Sequence, residues 1–251
     1  MIRFLAILLL AGLPLRAEEV VASLSQDRVS INANFDGSEI LIFGAVKREE
    51  PIPDAAPLEV VITLSGPKQA VTVRRKSRVA GIWVNTDAVM IDAAPSFYSV
   101  STSRPLSLVL RDTEDLRYKV SIPRAIRSVG APETVFDAAT FTEALIRIRE
   151  DNDLFQLNEN TVQIKESTLF QTSVDLPSNL VEGDYTTRII LTRDGAVVSA
   201  YSTVIAVQKV GMERWLYRLA HDHALIYGLL SLTIAIGSGW LASAVFRYLQ
   251  G

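Results

Sequence analysis

The sequence predicts a mainly β protein: an immunoglobulin-like β-sandwich with a helical insertion, followed by one C-terminal transmembrane helix. Three observations carry this. Short β-branched runs, alternating or fully apolar, recur through the middle of the chain. A Leu180-Val-Glu-Gly183-Asp-Tyr185 segment stands directly before a strong hairpin pattern. Near the end, Ala224 to Phe246 carries no charged residue.

Taken in order, residues 1–17 open with Arg3 and a short apolar core ending at Leu13, then Pro14 and Ala17. This is the pattern of a signal peptide, because about ten apolar residues are too few to cross roughly 30 Å of hydrocarbon, and cleavage is expected after Ala17, with an uncleaved anchor as the alternative. Candidate strands follow at 20–25, 29–32, 39–46, 58–64, 70–74, 79–84, 161–165, 169–175, 185–193 and 196–208. Asp194-Gly195 supplies the positive φ of a tight turn between the last two. Leu180, Gly183 and Tyr185 have the spacing of a tyrosine corner, in which the hydroxyl fastens the connection between two strands. Trp83, Phe43 and Phe170 are the expected bulky core fillers.

Between the early and late strands, about 86–158, the pattern turns helical. Thr140 and Glu143 have capping-box spacing before apolar positions 141, 144, 145 and 148, and Pro105 opens a shorter helix through Leu110. Residues 18–211 thus form one exported domain, with two small β domains joined by helices as the competing arrangement. An amphipathic juxtamembrane segment at 212–223 then leads to a span at 224–246 and a cytoplasmic tail at 247–251. Export followed by one span places the bulk of the chain in the periplasm, anchored in the inner membrane.

Composition narrows the chemistry. The chain has 251 residues, 49% of them hydrophobic, with no cysteine, two histidines and a net charge of −3. Cysteine-ligated metals, thiol nucleophiles and disulfides are excluded, and nucleic acid is not an expected partner. No Walker loop or nucleophile elbow occurs, so no cofactor is expected. His221-Asp222-His223 lies before the span, where helical geometry turns the two imidazoles apart, so no metal site is expected. Paired carboxylates remain available for hydrolysis at Glu49-Glu50, Asp112, Glu114-Asp115 and Glu150-Asp151, but their charged surroundings suit solvated surface better. Arg74-Arg75-Lys76 with Arg78 links two candidate strands and reads as a solubilising basic hairpin tip, with contact to an anionic ligand or lipid as the alternative, and Glu143 reads as an i,i+4 partner of Arg147. In the span, Ser231, Ala235, Gly239 and Ser243 recur every fourth residue, a face on which a second helix could approach closely.

Val29-Ser-Ile-Asn-Ala-Asn-Phe35-Asp-Gly37-Ser-Glu-Ile-Leu-Ile-Phe43-Gly44-Ala45 resembles the opening of the alphaproteobacterial transmembrane protein family with the Alph_Pro_TM domain. Pro95-Ser-Phe97-Tyr98, Ser103-Arg104-Pro105-Leu106, Phe141 with Ala144-Leu145-Ile-Arg147, and Tyr227-Gly228, Gly239-Trp240 and Phe246 extend the resemblance over nearly the whole chain. It implies a secreted N-terminus, one C-terminal span and an envelope location, without a biochemical role. It also carries a loose association with sulfite-exporter-type transporters. The expected function is non-catalytic binding or scaffolding at the lipid bilayer. A membrane-protein partner or a second copy would dock through the transmembrane helix, and the protein would serve as an accessory subunit of a transporter. The alternative is a membrane-tethered periplasmic hydrolase using carboxylates.

Overall fold

The computed structural model describes residues 18–31, 35–48, 56–130, 135, 137–209 and 212–249. The segment read as a signal peptide and the Glu49-Glu50 pair lie outside them. Twelve strands and six helices are described: β1 (Glu19–Leu24), β2 (Arg28–Ile31), β3 (Ser38–Lys47), β4 (Glu59–Ser65), β5 (Lys68–Val79), β6 (Ile82–Pro95) and β7 (Tyr98–Thr102). Then come α1 (Leu106–Val109), α2 (Asp112–Tyr118), α3 (Ile122–Ala125) and α4 (Ala138–Glu150). These are followed by β8 (Phe155–Asn158), β9 (Gln163–Lys165), β10 (Leu169–Leu176), β11 (Gly183–Arg193), β12 (Ala196–Lys209), α5 (Met212–Asp222) and α6 (Ala224–Leu249).

The strands form a four-stranded sheet, β1-β3-β10-β9, a six-stranded sheet, β2-β12-β11-β4-β7-β8, and the two-stranded β5-β6 ribbon. Strand β10 buries every second residue, Phe170, Thr172, Val174 and Leu176, as a half-covered antiparallel strand should. Central strands β4 and β7 are buried along nearly their whole length, so the larger sheet is covered on both faces. On one face, Val61, Val100, Tyr98 and Ile190 join Val109, Val120, Ile122, Leu145 and Phe155 in a single core that seats the helices. The other face carries the buried row Val60, Ile62, Leu64, Ile189 and Leu191, which leaves it to the buried row of the smaller sheet.

Arg188 fastens the helices to the larger sheet. From β11 its guanidinium donates to Thr63 Oγ1 at 3.1 Å, to the Tyr118 and Lys119 carbonyls at 2.7 and 3.2 Å, and to the Tyr98 hydroxyl at 3.2 Å. Those carbonyls end α2, where the helix dipole favours a cation. Asp115 closes the same corner, accepting from the Val120 and Ser121 backbone N–H groups and the Ser121 hydroxyl.

Several expectations change. The described helices lie at 106–109, 112–118, 122–125 and 138–150, whereas 82–95 and 98–102 are strands, so the helical stretch starts later than 86. The 79–84 run is interrupted by a turn at Ala80 and Gly81, both at positive φ. Trp83 is 69% exposed and Phe43 40% exposed, while Phe170 is buried, and Tyr98, Tyr185 and Phe97 are the large core aromatics. Trp83 stands just past the ribbon's turn, beyond the reach of either core. Helix α4 begins at Ala138 with Asp137 before it, and Thr140 donates back to the Asp137 carbonyl instead of capping. Arg75 engages both the Asp137 carboxylate and Thr140 Oγ1, which fixes that geometry. Glu143 and Arg147 form no ion pair among the described residues.

Candidate functional site

The outward face of the four-stranded sheet is apolar where water should favour polar side chains. Register places Val21, Ala45 and Leu169 side by side across β1, β3 and β10, with Lys165 of β9 completing the row. The next row is Ser23, Phe43, Gln171 and Gln163, and Leu41 follows along β3. Val21 is 55% and Leu169 53% exposed, and together with Leu41 and Phe43 they line a concavity of about 450 Å³. Its edge is polar: Gln171 donates to Gln163 at 3.2 Å and Lys165 stands beside them. Among the described residues the lining holds no carboxylate, histidine or thiol, so what it offers chemically is apolar area with amide and ammonium groups at its border.

Gly44 sets the local backbone of this face. A Cβ there would lie 2.5 Å from the Phe170 ring, 2.7 Å from the Val21 carbonyl oxygen and 3.0 Å from the Ala22 Cα. Its absence lets β1 and Phe170 close on β3. At the upper end of the sheet, Glu18 receives Arg48 at 2.6 Å and Arg193 at 2.7 Å, tying the start of β1 to the ends of β3 and β11. Burial alone would raise the Glu18 carboxyl, but the hydrogen bonds and charges of the two arginines outweigh it and hold the group below the usual carboxylate range.

The residues singled out in the sequence are distributed as follows. Tyr185 is buried and its hydroxyl donates to the Val181 carbonyl at 2.8 Å, four residues back; burial pushes the phenol up. Leu180 is buried beneath the connection, and Gly183, at φ +149°, lies where a Cβ would stand 3.0 Å from Pro67. Among the carboxylates, Asp115 is consumed by the α2 corner, Asp112 and Glu114 lie in the first turn of α2, and Glu150 ends α4. The basic run Arg74-Arg75-Lys76 lies within β5, not at its tip. His221 stacks on Tyr217 with ring centroids 4.0 Å apart, its Nδ1 2.9 Å from the Tyr217 carbonyl. Sequence reasoning missed the apolar face, although the unbroken run Ile40-Leu41-Ile42-Phe43 was its signal: in a strand, such a run must be apolar on both sides.

Helix α6 is long and apolar enough to cross a bilayer over Ala224–Ser243, and none of that stretch is buried. Ser231 returns its hydroxyl to the Tyr227 carbonyl, so the serine satisfies itself within the helix, as does Thr233 on Leu229. At Gly228, Gly237 and Gly239 a Cβ would meet nothing within 4 Å.

Among solved structures, the N-terminal domain of the Streptococcus gordonii adhesin Sgo0707 aligns at 10% identity and TM-score 0.27, covering 75% of this chain and 32% of that one. A family 123 glycoside hydrolase from Clostridium perfringens, described for glycolipid glycan hydrolysis, aligns at 8% identity and TM-score 0.24, covering 77% and 28%. The chain therefore spans about a third or less of each. Comparison with curated proteins gives no match. The profile of the family described as "Putative transmembrane protein (Alph_Pro_TM)" matches residues 19–248. With the profile running from the first strand into the end of α6, the chain belongs to this family of transmembrane proteins.

Proposed function

We propose that this protein is a non-catalytic, membrane-anchored binding or scaffolding protein whose β domain is held on the periplasmic side of the inner membrane. The observation that carries the reading is the apolar outer face of the smaller sheet, formed by Val21, Leu41, Phe43 and Leu169 around a concavity whose described lining has Lys165 at its border as its one ionisable side chain. A face of this kind gains free energy only when another molecule covers it. An immunoglobulin-like sandwich is the fold reading that fits: β1-β3-β10-β9 corresponds to an A-B-E-D sheet and β12-β11-β4 to G-F-C, with Tyr185 at the F-strand corner. Docking of α6 on a partner helix through Ser231, Ala235, Gly239 and Ser243 would keep such a partner beside the β domain. The sequence resemblance implies only a loose association with sulfite-exporter-type transporters, and on that ground a transporter is the first partner to test.

The test is site-specific photo-cross-linking in membranes of the native host, with the photoreactive residue at Phe43, at Leu169 or, as a control, at the exposed turn residue Asp194. Adducts at the first two positions and none at the third support the reading. Covering the exposed halves of Phe43 and Leu169 is worth about 1 to 2 kcal/mol each, so F43S/L169S should weaken capture from a photoreactive residue placed at Leu41 of the same face by at least tenfold. Equal adducts at all three positions, or capture unchanged in the double variant, would refute it. Because the chain has no cysteine, single cysteines at 194 and 249 with a membrane-impermeant maleimide report topology directly. Labelling of position 194 from the cytoplasmic side would overturn the periplasmic placement.

A further inference from the structure

The β5-β6 ribbon continues past the core that holds its base. Val89 and Ile91 are buried and Val71 and Val73 pack on the helical core, but from Arg74 to Ala88 the side chains are exposed or half-buried. At the far end the pair Val79–Ile82 flanks the Ala80-Gly81 turn, and the pair Arg78–Trp83 comes next. Ile82 is 64% exposed, so the ribbon ends in an apolar and aromatic cap facing water.

Behind that cap, Arg74, Lys76 and Arg78 alternate along β5 and share the face that carries Trp83. The opposite face holds Arg75, whose charge is spent on Asp137 and Asp87 and whose guanidinium lies over the Phe141 ring, bracing the ribbon against α4. Arg74 and Lys76 have no hydrogen bond or ion pair among the described residues, and Arg78 meets only the Gly81 carbonyl. At about 3.4 Å per residue, the three cations lie roughly 3, 10 and 17 Å behind the Val79–Ile82 pair. A bilayer presents the same order, with hydrocarbon first and anionic phosphates a further 5 to 8 Å or so outward, where tryptophan also concentrates. Long basic side chains reach that level from either side. The chain has a net charge of −3, so this run of unpaired cations is not a sample of its average surface.

We propose that the β5-β6 ribbon is a second membrane contact: Val79, Ile82 and Trp83 enter the interface of an anionic bilayer while Arg74, Lys76 and Arg78 bind lipid phosphates. The span supplies a high local concentration of lipid, so a weak insertion suffices. The test uses the full chain in nanodiscs, with Trp215→Phe and Trp240→Phe leaving Trp83 as the sole tryptophan. In phosphatidylglycerol discs, Trp83 emission moves to shorter wavelength and is quenched by acyl-chain-brominated lipid, and both effects shrink in phosphatidylcholine discs. In R74Q/K76Q/R78Q the ratio of inserted to water-exposed Trp83 falls about a hundredfold, at roughly fivefold per charge. Two results would overturn the proposal. One is Trp83 that stays open to acrylamide and untouched by brominated lipid in phosphatidylglycerol discs. The other is Trp83 shielded from acrylamide without bromine quenching, which identifies a protein cover instead.

Discussion

Replacing Arg188 by methionine isolates the guanidinium that fastens the helices to the larger sheet. Methionine keeps much of the apolar stem, so the change removes mainly four donated hydrogen bonds, to Thr63, Tyr98, Tyr118 and Lys119. Hydrogen bonds from a charged donor contribute about 1.5 to 3 kcal/mol each when partners are left buried. They do not add here, because the Lys119 carbonyl sits at the surface and recovers water, and the Tyr98 hydroxyl keeps its 2.7 Å bond to the Val120 carbonyl. A loss of about 3 kcal/mol follows, concentrated in the Thr63 and Tyr118 contacts. The measurement is urea denaturation of the detergent-solubilised chain by near-ultraviolet circular dichroism, with limited proteolysis reporting cleavage within residues 103–153. Early release of that stretch and a lowered midpoint are expected. A double-mutant cycle with Tyr98→Phe should return a coupling of about 1 kcal/mol. Wild-type midpoint and wild-type protease resistance in Arg188→Met would refute the idea that this cation holds the helices in place.

Tyr185→Phe removes the hydroxyl that reaches the Val181 carbonyl while keeping the buried ring, so a loss of about 1 kcal/mol is expected in the same denaturation assay. Glu18→Gln should cost about 2 kcal/mol, because Arg48 and Arg193 lose their shared countercharge. Since the folded carboxyl titrates below its unfolded value of 4.5, the stabilisation is fully present above pH 4.5 and fades as pH falls through the lowered folded value. The stability difference between wild type and Glu18→Gln should therefore be constant near neutrality and shrink in acid. A difference that grows on acidification would contradict the assignment.

The hairpin β11-β12 was legible because Asp194-Gly195 encodes its turn locally, with φ of +48° and +75°. The apolar length of α6 was equally local. Strand β7 was not: it falls within the stretch read as helical, and Tyr98-Ser-Val-Ser-Thr102 is buried on both faces although three of its five residues are polar. Strand β6 was cut short in the reading because a register shift opposite Arg75 and Lys76 breaks its alternation. Trp83 shows the limit of residue type as a guide: bulk suggested the interior, whereas its position beside a turn decided otherwise. The polar clusters around Glu18 and Arg188 left no sequence signal, because their partners come from strands and helices far along the chain. The apolar outer sheet face was visible as an unbroken hydrophobic run, but only strand pairing shows that four strands contribute to one surface.

Both main sheets are stitched from distant halves of the polypeptide: β3 pairs with β10 and β4 with β11, joining residues roughly 130 positions apart. Neither sheet can close until its late strands have been delivered, and β12 ends only a few residues before α5 begins. A chain made from its N-terminus can pair β1 with β3 and β4 with β7 early, but must hold the other edges of β3 and β4 open until almost everything ahead of the tether has emerged. During that interval the free edges of β3 and β4 are open to wrong partners, so assembly of this protein is exposed to aggregation at the moment it reaches the membrane.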